Sequence, residues 1–301
     1  MLETGLKYDL HAYLETKRHD IETALDHFLP TVSSRPQTLH ESLRYSMLAP
    51  GKRVRPILVL AAAEAIGGNA NEVMPTACAM ECIHVFSLIH DDLPCMDNDD
   101  YRRGRLTNHK VYGDALALLA GDALLALAFQ LIAENAQNVP PERVLPVIRL
   151  VAHASGTWGM VGGQVVDMQS QGQEVTPDTL YYIHAQKTGA LLTASVLAGA
   201  MLAGAQEEQV EALGAYGRHI GLAFQIADDI LDVTGDESKI GKPVGSDEER
   251  DKATYPRLFG LTESRRRAHE EVDAALNTLA AFDGKADPLR AIARFIVERD
   301  L

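Results

Sequence analysis

The chain has 301 residues, 46% of them hydrophobic, and a formal net charge of −14 at pH 7. This acidic balance, with no basic stripe to offset it, argues against a nucleic-acid partner. Ala and Leu dominate, only 6% of the residues are aromatic, and no alternating β-branched runs recur. The composition therefore favours an all-α protein, and we expect a single domain over residues 1–301.

The N-terminus and the cysteines favour a cytoplasmic location. The opening segment MLETGLKYDLHAYLETKRHD lacks the basic start and apolar core of a secretory signal. Cys78, Cys82 and Cys95 cannot form a paired disulfide framework. Cys78 and Cys82 are four residues apart on one predicted helical face, with no further Cys or His at zinc spacing, so we interpret them as buried thiols.

Apolar periodicity predicts a series of helices joined by short polar segments. The first runs from about residue 8 to 29, and Ser and Pro residues after it mark a turn. The basic segment 51–56, bracketed by prolines, predicts a loop that opens onto a helix ending at Gly67-Gly68. Another apolar run leads from Met74 to His90. Further helices are predicted at about 114–135, 142–159, 176–185, 187–204, 207–233, 261–281 and 287–298, with a mobile polar loop at 235–256.

Two stretches, 115–133 and 188–205, approach the length of a membrane span. The first contains Asp122, and the second is rich in Gly, Ala and Ser, which also suits closely packed helices. Neither has aromatic belts or a basic loop asymmetry. We interpret both as central helices of a large bundle and expect no membrane span.

Two aspartate clusters lie far apart in the chain, each at the end of a long apolar stretch. They are Asp91-Asp92 with Asp97, and Asp228-Asp229 with Asp232. Aspartate is rarely buried without a partner, and carboxylate oxygens are hard ligands suited to Mg²⁺, which also binds substrate phosphates. Two acidic mouths facing each other over an apolar cavity would suit a diphosphate head with a hydrocarbon tail.

The spacing within each cluster bears on this interpretation. Asp228 and Asp232 share a helical face one turn apart, where like charges repel unless a cation lies between them. The alternative is a solvated acidic helix end, but the preceding turns are apolar on nearly all sides. Asp91 and Asp97 would not align on a straight helix, so we expect Pro94 to distort it and bring Asp97 round.

Basic residues concentrate beside the acidic clusters. Lys52, Arg53 and Arg55 precede a helix start, where free backbone N–H groups favour anions. Arg suits phosphate through its planar fork and Lys as a point charge. Any one of these residues alone would more often be a surface cation. Their concentration beside the acidic clusters is what indicates a phosphate site. The others are Arg102, Arg103, Lys187 with Thr188, Lys242 and Lys252.

Three residues before the first cluster have both a structural and a functional interpretation. His84, two helical turns before Asp91, is either a satisfied core histidine or a phosphate ligand. Phe86 and Ser87 lie about one to one and a half turns deeper than the aspartates. Phe86 is either core packing or a floor that limits the length of a hydrocarbon tail.

At these residues the chain resembles the trans-prenyltransferases, the short-chain isoprenyl diphosphate synthases, from about Tyr45 to the C-terminus. The two aspartate-rich motifs are matched by DDLPCMD (91–97) and DDILD (228–232), and RRG (102–104) follows the first. GKRVRP, GGQVVD, KTG, FQIADD and DKATYP also fall in family order. The resemblance implies a homodimeric bundle of antiparallel helices around a deep apolar cavity. It also implies head-to-tail condensation of isopentenyl diphosphate with an allylic diphosphate.

The resemblance also implies a role for each matched residue. The six aspartates of the two motifs would bind Mg²⁺, three ions per active site, with Mn²⁺ as a possible substitute. Lys187, the lysine of the KTG motif, would contribute to catalysis. The allylic diphosphate would be held by Arg102, Lys187, Lys242 and Lys252, with Thr188 and Gln225 nearby. Isopentenyl diphosphate would be held by Lys52, Arg55, His84 and Arg103.

Product length rests on Phe86, five residues before Asp91. The four-residue spacer of the first motif resembles both bacterial farnesyl and plant-type geranylgeranyl synthases. A bulky aromatic at Phe86 resembles the farnesyl pattern, so we expect farnesyl diphosphate. The segment MDNDDYRRG is similar to that of the geranylgeranyl synthases, and it keeps a geranylgeranyl product open as the alternative.

Other classes fit less well. A terpene cyclase shares the fold and one acidic motif, but lacks a second DDxxD and needs no isopentenyl site. A di-iron bundle needs paired Glu-x-x-His motifs, which the chain lacks. A non-catalytic synthase subunit would be expected to lose acidic motifs, and this chain keeps both.

Overall fold

The structure is a computed structural model that describes residues 8–235 and 252–298, and this part of the chain is almost entirely helical. Seven helices precede Gly156: α1 (Leu10–Phe28), α2 (Gln37–Met47), α3 (Val54–Ala65), α4 (Met74–Asp91), α5 (Asn108–Tyr112), α6 (Asp114–Glu134) and α7 (Pro141–Ser155). The rest are α8 (Met160–Ser170), α9 (Pro177–Ile183), α10 (Ala190–Ala203), α11 (Glu207–Thr234), α12 (Tyr255–Phe259), α13 (Leu261–Thr278) and α14 (Asp287–Glu298).

Short elements complete the described chain. Strands β1 (Tyr101–Arg102) and β2 (Arg105–Leu106) form an antiparallel hairpin. Single 3₁₀ turns cover Ala70–Val73, Asn135–Gln137 and Gly284–Ala286, and a π-helical segment covers His184–Gly189. The all-α prediction is therefore confirmed.

The largest departure from the predicted helices lies at 142–159. Helix α7 ends at Ser155, and α8, which the periodicity did not predict, begins at Met160. A side chain at Gly159 would lie 2.0 Å from the Ala154 oxygen, so the chain can turn this tightly only with glycine there. The break redirects α8, which carries the GGQVVD motif.

A second departure concerns the predicted helices 176–185 and 187–204. These form one continuous helical run through α9, the π-helical segment and α10. The predicted loop 235–256 falls largely outside the described residues, although Tyr255 already begins α12.

One apolar cluster draws buried side chains from helices along the described chain, from Ile21 in α1 to Val297 in α14. The single-domain organisation remains a prediction. Helix α10 is buried on nearly every face and packs against α3 and α11. Gly199 allows its closest approach, because a Cβ there would meet the Val59 oxygen of α3 at 2.0 Å.

By length and composition, three segments of the described chain could cross a membrane: Ala70–Asp91, Asp114–Gln137 and Pro141–Ser170. The first is 72% buried inside the protein. The third consists of two helices separated at Gly156. Of the two stretches noted in the sequence, 115–133 belongs to this set, whereas 188–205 contains the shorter α10.

We predict that Gly199→Ala destabilises the protein by about 1–3 kcal/mol, the usual range for overpacking, because α10 must move away from the α3 backbone. Urea denaturation measures the loss. Gly214→Ala is the matched control, since its Cβ would meet Leu197 at an ordinary 3.4 Å and alanine is the better helix former. Equal stability of the two variants would contradict the prediction.

Candidate active site

The first aspartate cluster lies where α4 ends. The helix stops at Asp91, before Pro94, and Asp92 is its C-cap. The following loop turns back so that the Asp97 N–H donates to the Asp91 carbonyl oxygen at 2.8 Å. The expected break is therefore present, and it returns Asp97 to Asp91.

Asp91 lies in an environment that resists its ionisation. Burial raises the pKa of the carboxyl to about 6, and the carboxylates of Asp97 and Asp92 add to the effect. Lys187 and Arg102 oppose it. Like charges gathered in a partly buried position require a cation to be stable together.

Asp92 is already engaged by an arginine. Both of its carboxylate oxygens accept from Arg102 on β1, at 2.6 and 2.9 Å for one oxygen and 3.1 Å for the other. Asp92 is only 3% exposed. Such a fork-to-carboxylate pair fixes both partners, so Asp92 holds Arg102 at the first cluster.

A group of cations lies beside α4. Burial lowers the pKa of His84 well below its ordinary value, and Arg55, Arg103, Arg102 and Arg53 lower it further. His84 is therefore neutral and lies among positive charges. His84, Arg53, Asp92 and all three hairpin arginines line one cleft against α2. This concentration of cationic donors is suited to an anion.

Arg55 has a donor to spare in that group. Its buried Nε has no hydrogen-bond partner. Burial lowers the pKa of its guanidinium, whereas Glu81 and Asp228 oppose that shift. Arg55 thus links the cationic group electrostatically to the second aspartate cluster. Lys52, in the same turn, is exposed.

The turn that carries these cations is held by Arg53, one of the three cations expected beside the phosphate site. Arg53 adopts a left-handed conformation with φ 52°. Its guanidinium donates to Glu81 at 2.7 Å and to the carbonyls of Met47 and Ala49 at 3.0 and 2.7 Å. Its position in the GKRVRP motif could not reveal this internal ion pair.

Lys187 lies on the π-helical segment and donates to Asp167 of α8 at 2.6 Å. Burial lowers the pKa of Lys187, but Asp167, Asp91 and Asp97 outweigh that effect and raise it above the ordinary value. Gly163 permits the close approach of α8, because a Cβ there would lie 2.3 Å from the backbone nitrogen of Lys187. Asp167 is the last residue of the GGQVVD motif, and this pairing gives it a role.

The second aspartate cluster ends α11. Asp228 acts on Arg55, as described, and Asp232 follows one turn later. Asp229 is buried and accepts from His184 at 3.0 Å, from the Tyr255 N–H at 2.9 Å and from Gln225 at 3.1 Å. His184 was not among the predicted site residues, because no motif or spacing marks it.

The remaining predicted residues lie on the same elements. The Thr188 hydroxyl donates to Gln225 at 2.8 Å. The Ser87 hydroxyl donates to the His84 carbonyl of its own helix at 2.8 Å. Lys252 lies just before α12. Lys242 lies outside the described residues.

The donor set fits divalent cations held jointly with a ligand. Across residues 8–235 and 252–298, no three His, Cys, Asp or Glu side chains already converge into a metal-binding group. Asp91 and Asp97 nevertheless bring hard oxygen donors together, and the Asp97 carboxylate adds to the rise in the pKa of Asp91 that burial causes. Mg²⁺ typically takes one or two carboxylates and completes its shell with waters and phosphate oxygens.

The fold and site define a class, the prenyl diphosphate synthases. The Polyprenyl synthetase family model matches residues 36–289, and the chain belongs to this family. It is therefore a short-chain prenyl diphosphate synthase, a prenyltransferase of isoprenoid biosynthesis.

Particular relatives agree on the class and differ on the product. The chain is 50% identical to a geranylgeranyl diphosphate synthase of Cyanophora paradoxa, covering 97% of each chain. It is 46% identical to a farnesyl diphosphate synthase of Geobacillus stearothermophilus, covering 96% of this chain and 97% of the relative. The structure of an FPP/GFPP synthase from Zymomonas mobilis matches with a TM-score of 0.86 at 39% identity, covering 97% of this chain and all of that one.

We predict that Glu81→Gln destabilises the protein by about 3 kcal/mol, because it leaves the Arg53 guanidinium buried without its closest counter-charge. Urea denaturation measures the change. The control is Glu263→Gln, which removes a carboxylate from a solvent-exposed group with Arg266 and Arg267. If both variants unfolded at the wild-type urea concentration, Arg53 would not depend on Glu81.

Proposed function

We propose that the chain catalyses Mg²⁺-dependent head-to-tail condensation of isopentenyl diphosphate with dimethylallyl and geranyl diphosphates to give farnesyl diphosphate. The observation that carries this proposal is that each aspartate cluster interacts electrostatically with a cation on another element. Asp91 and Asp97 act on Lys187, and Asp228 acts on Arg55. Both clusters end apolar helices, so the polar head and apolar tail of the substrate each find a matching surface.

The allylic diphosphate would be held at the aspartate clusters. Asp91, Asp97, Asp228 and Asp232 would hold the ions. For Asp92 we revise the metal role that the resemblance implies, because its two-oxygen pairing positions Arg102. When bound, Mg²⁺ neutralises and polarises the diphosphate as a Lewis acid. Lys187, Arg102 and Lys252 add positive charge on the protein side, with Lys242 also proposed.

Isopentenyl diphosphate would occupy the cationic group beside α4. Arg55 offers a buried donor without a partner, Arg103 lies on the hairpin, and Lys52 is exposed in the turn that also carries Arg55. His84 is neutral at physiological pH, so it binds by hydrogen bonding rather than charge. A diphosphate here is suited to several convergent donors.

The reaction then follows from placement and charge. Lys187 and Arg102 stabilise the negative charge that develops as the allylic carbon–oxygen bond breaks. The double bond of isopentenyl diphosphate attacks the resulting allylic cation and forms the new carbon–carbon bond. The departing diphosphate accepts the released proton. The apolar helices exclude water that would quench the cation, and the deep cavity remains part of this proposal.

Product length would be set at Phe86. Its ring is 7% exposed and meets the His90 ring edge to face at 5.0 Å. His90 in turn bonds the Leu118 carbonyl of α6 at 3.0 Å, directly over Gly121. The floor is thus braced between two helices, which supports a farnesyl product. A geranylgeranyl product is the alternative, supported by the Cyanophora paradoxa relative.

We also propose that the protein works as a cytoplasmic homodimer. Helices α6 and α7 expose several large apolar side chains: Leu118, Leu119 and Leu145 are 45%, 54% and 71% exposed. A second copy that covered them would remove this apolar surface from water. Cys78, Cys82 and Cys95 are free thiols, which suits a reducing compartment.

The test of function is incubation with isopentenyl and geranyl diphosphates and Mg²⁺, followed by chromatography of the dephosphorylated alcohols. We predict that Asp91→Ala and Asp228→Ala each lower turnover by on the order of 10²–10³-fold or more, because charge on the leaving group loses its stabilisation. Circular dichroism should show an unchanged fold. Asp20→Ala, on the exposed face of α1, is the control. Near wild-type turnover in either site variant would contradict the metal assignment.

We predict that Phe86→Ala shifts the main product from farnesyl to geranylgeranyl diphosphate, because removing the ring deepens the floor. The same chromatography measures the product distribution. Phe282→Ala, between α13 and α14, controls for general loosening of the core. An unchanged chain length would remove Phe86 as the floor, and a wild-type enzyme that already makes geranylgeranyl diphosphate would favour the alternative.

A further inference from the structure

Asp229 differs from the other motif aspartates in how completely its carboxylate is satisfied. One oxygen accepts from the His184 ring at 3.0 Å and from the Tyr255 N–H at 2.9 Å. The other accepts from the Gln225 amide at 3.1 Å. The residue is 2% exposed. A buried carboxylate with three donors is held in place, and a cation could take it only at the expense of these bonds.

The three donors come from three separate segments. His184 opens the π-helical segment that also carries Lys187, Gln225 lies on α11, and Tyr255 begins α12 three residues after Lys252. The rings of His184 and Tyr255 also stack, with centroids 5.4 Å apart and an interplanar angle of 20°. One carboxylate therefore joins the segments that carry two of the proposed diphosphate lysines.

These hydrogen bonds join the π-helical segment to α11 at two points. Gln225 donates to Asp229 through Nε2 and accepts from Thr188 through Oε1. His184 and Thr188 lie four residues apart on one element, as Gln225 and Asp229 do on the other. The backbones approach closely here, because a Cβ on Gly221 would lie 2.8 Å from the Gly189 Cα.

We propose that His184 is a positioning residue for the condensation, acting through Asp229, and that Asp229 itself is not a metal ligand. The pair sets where the π-helical segment and the start of α12 lie relative to α11, and so where Lys187 and Lys252 meet the allylic diphosphate. The proposal rests on the proposed function, and it revises the metal role that the DDILD motif implies for Asp229.

Asparagine at 229 separates a positioning role from a metal role. Its amide oxygen can accept from His184 and Tyr255, and its NH₂ can donate to Gln225 once that amide turns over. The turned Gln225 NH₂ then donates to the Thr188 hydroxyl, which also accepts. Asp229→Asn thus keeps this set of hydrogen bonds and removes the negative charge. Asp228→Asn removes the neighbouring charge and is the matched comparison.

The experiment measures kcat, the KM of each diphosphate and the half-saturating Mg²⁺ concentration in purified full-length variants. We expect Asp229→Asn to lower turnover by no more than about tenfold, with the Mg²⁺ requirement unchanged, whereas Asp228→Asn costs on the order of 10²-fold or more and raises it. A rise in the Mg²⁺ requirement of Asp229→Asn to that of Asp228→Asn would overturn the proposal.

His184 is tested by its own pair of variants. His184→Ala should raise the KM of geranyl diphosphate about tenfold or more, the loss expected for one hydrogen bond to a charged group. The KM of isopentenyl diphosphate should change far less. His184→Gln, which restores a donor near the Nε2 position, should recover most of the loss. Equal changes in both KM values, or no recovery with Gln, would reduce His184 to a structural residue and overturn the proposal.

Two outcomes keep the test decisive. If His184→Ala does not fold, Asp229→Asn and His184→Gln still carry it. If Asp228→Asn keeps full activity, the metal site of the proposed function is contradicted. If Asp228→Asn loses activity and Asp229→Asn raises the Mg²⁺ requirement equally, only the role proposed here for Asp229 is contradicted.

Discussion

The arrangement depends on one electrostatic constraint, which is the cost of gathering like charges where apolar helices end. Burial raises the pKa of Asp91 to about 6, and the neighbouring Asp97 carboxylate adds to the rise. Arg55 and Arg103 concentrate positive charge against a neutral His84. Lys187 and Arg102 offset part of the cost at Asp91, and Glu81 and Asp228 offset part of it at Arg55. A ligand with a strongly anionic head and accompanying divalent cations relieves both sets.

Under the same constraint, the aspartates of each motif have different roles. Asp92 is bound by Arg102, and Asp229 by His184, Gln225 and a backbone N–H. Both middle aspartates are nearly inaccessible to water. They fix neighbouring segments, so their flanking partners, Asp91 and Asp228 above all, are available to act on charges across the site.

The sequence predicted the helical fold and the position of both clusters because local periodicity and strings of like charge are readable in one dimension. It predicted a break at Pro94, whereas the helix stops earlier, at Asp91. It missed α8 because the turn at Gly159 depends on a close approach to Ala154, which no periodicity records. It also missed His184 and the Arg53–Glu81 pair, since their partners lie 45 and 28 residues away.

The π-helical segment at His184–Gly189 makes this part of the chain intolerant of changes in length. A π-helical turn holds one residue more than an α-helical turn, so deleting one residue there would restore ordinary α-helical winding and leave the flanking helices in nearly the same rotation. Inside the segment, however, the angle around the helix axis between His184 and Lys187 would change. The two side chains could then no longer face Asp229 and Asp167 together. Divergence among descendants of this chain should therefore proceed here by exchange of side chains rather than by insertion or loss.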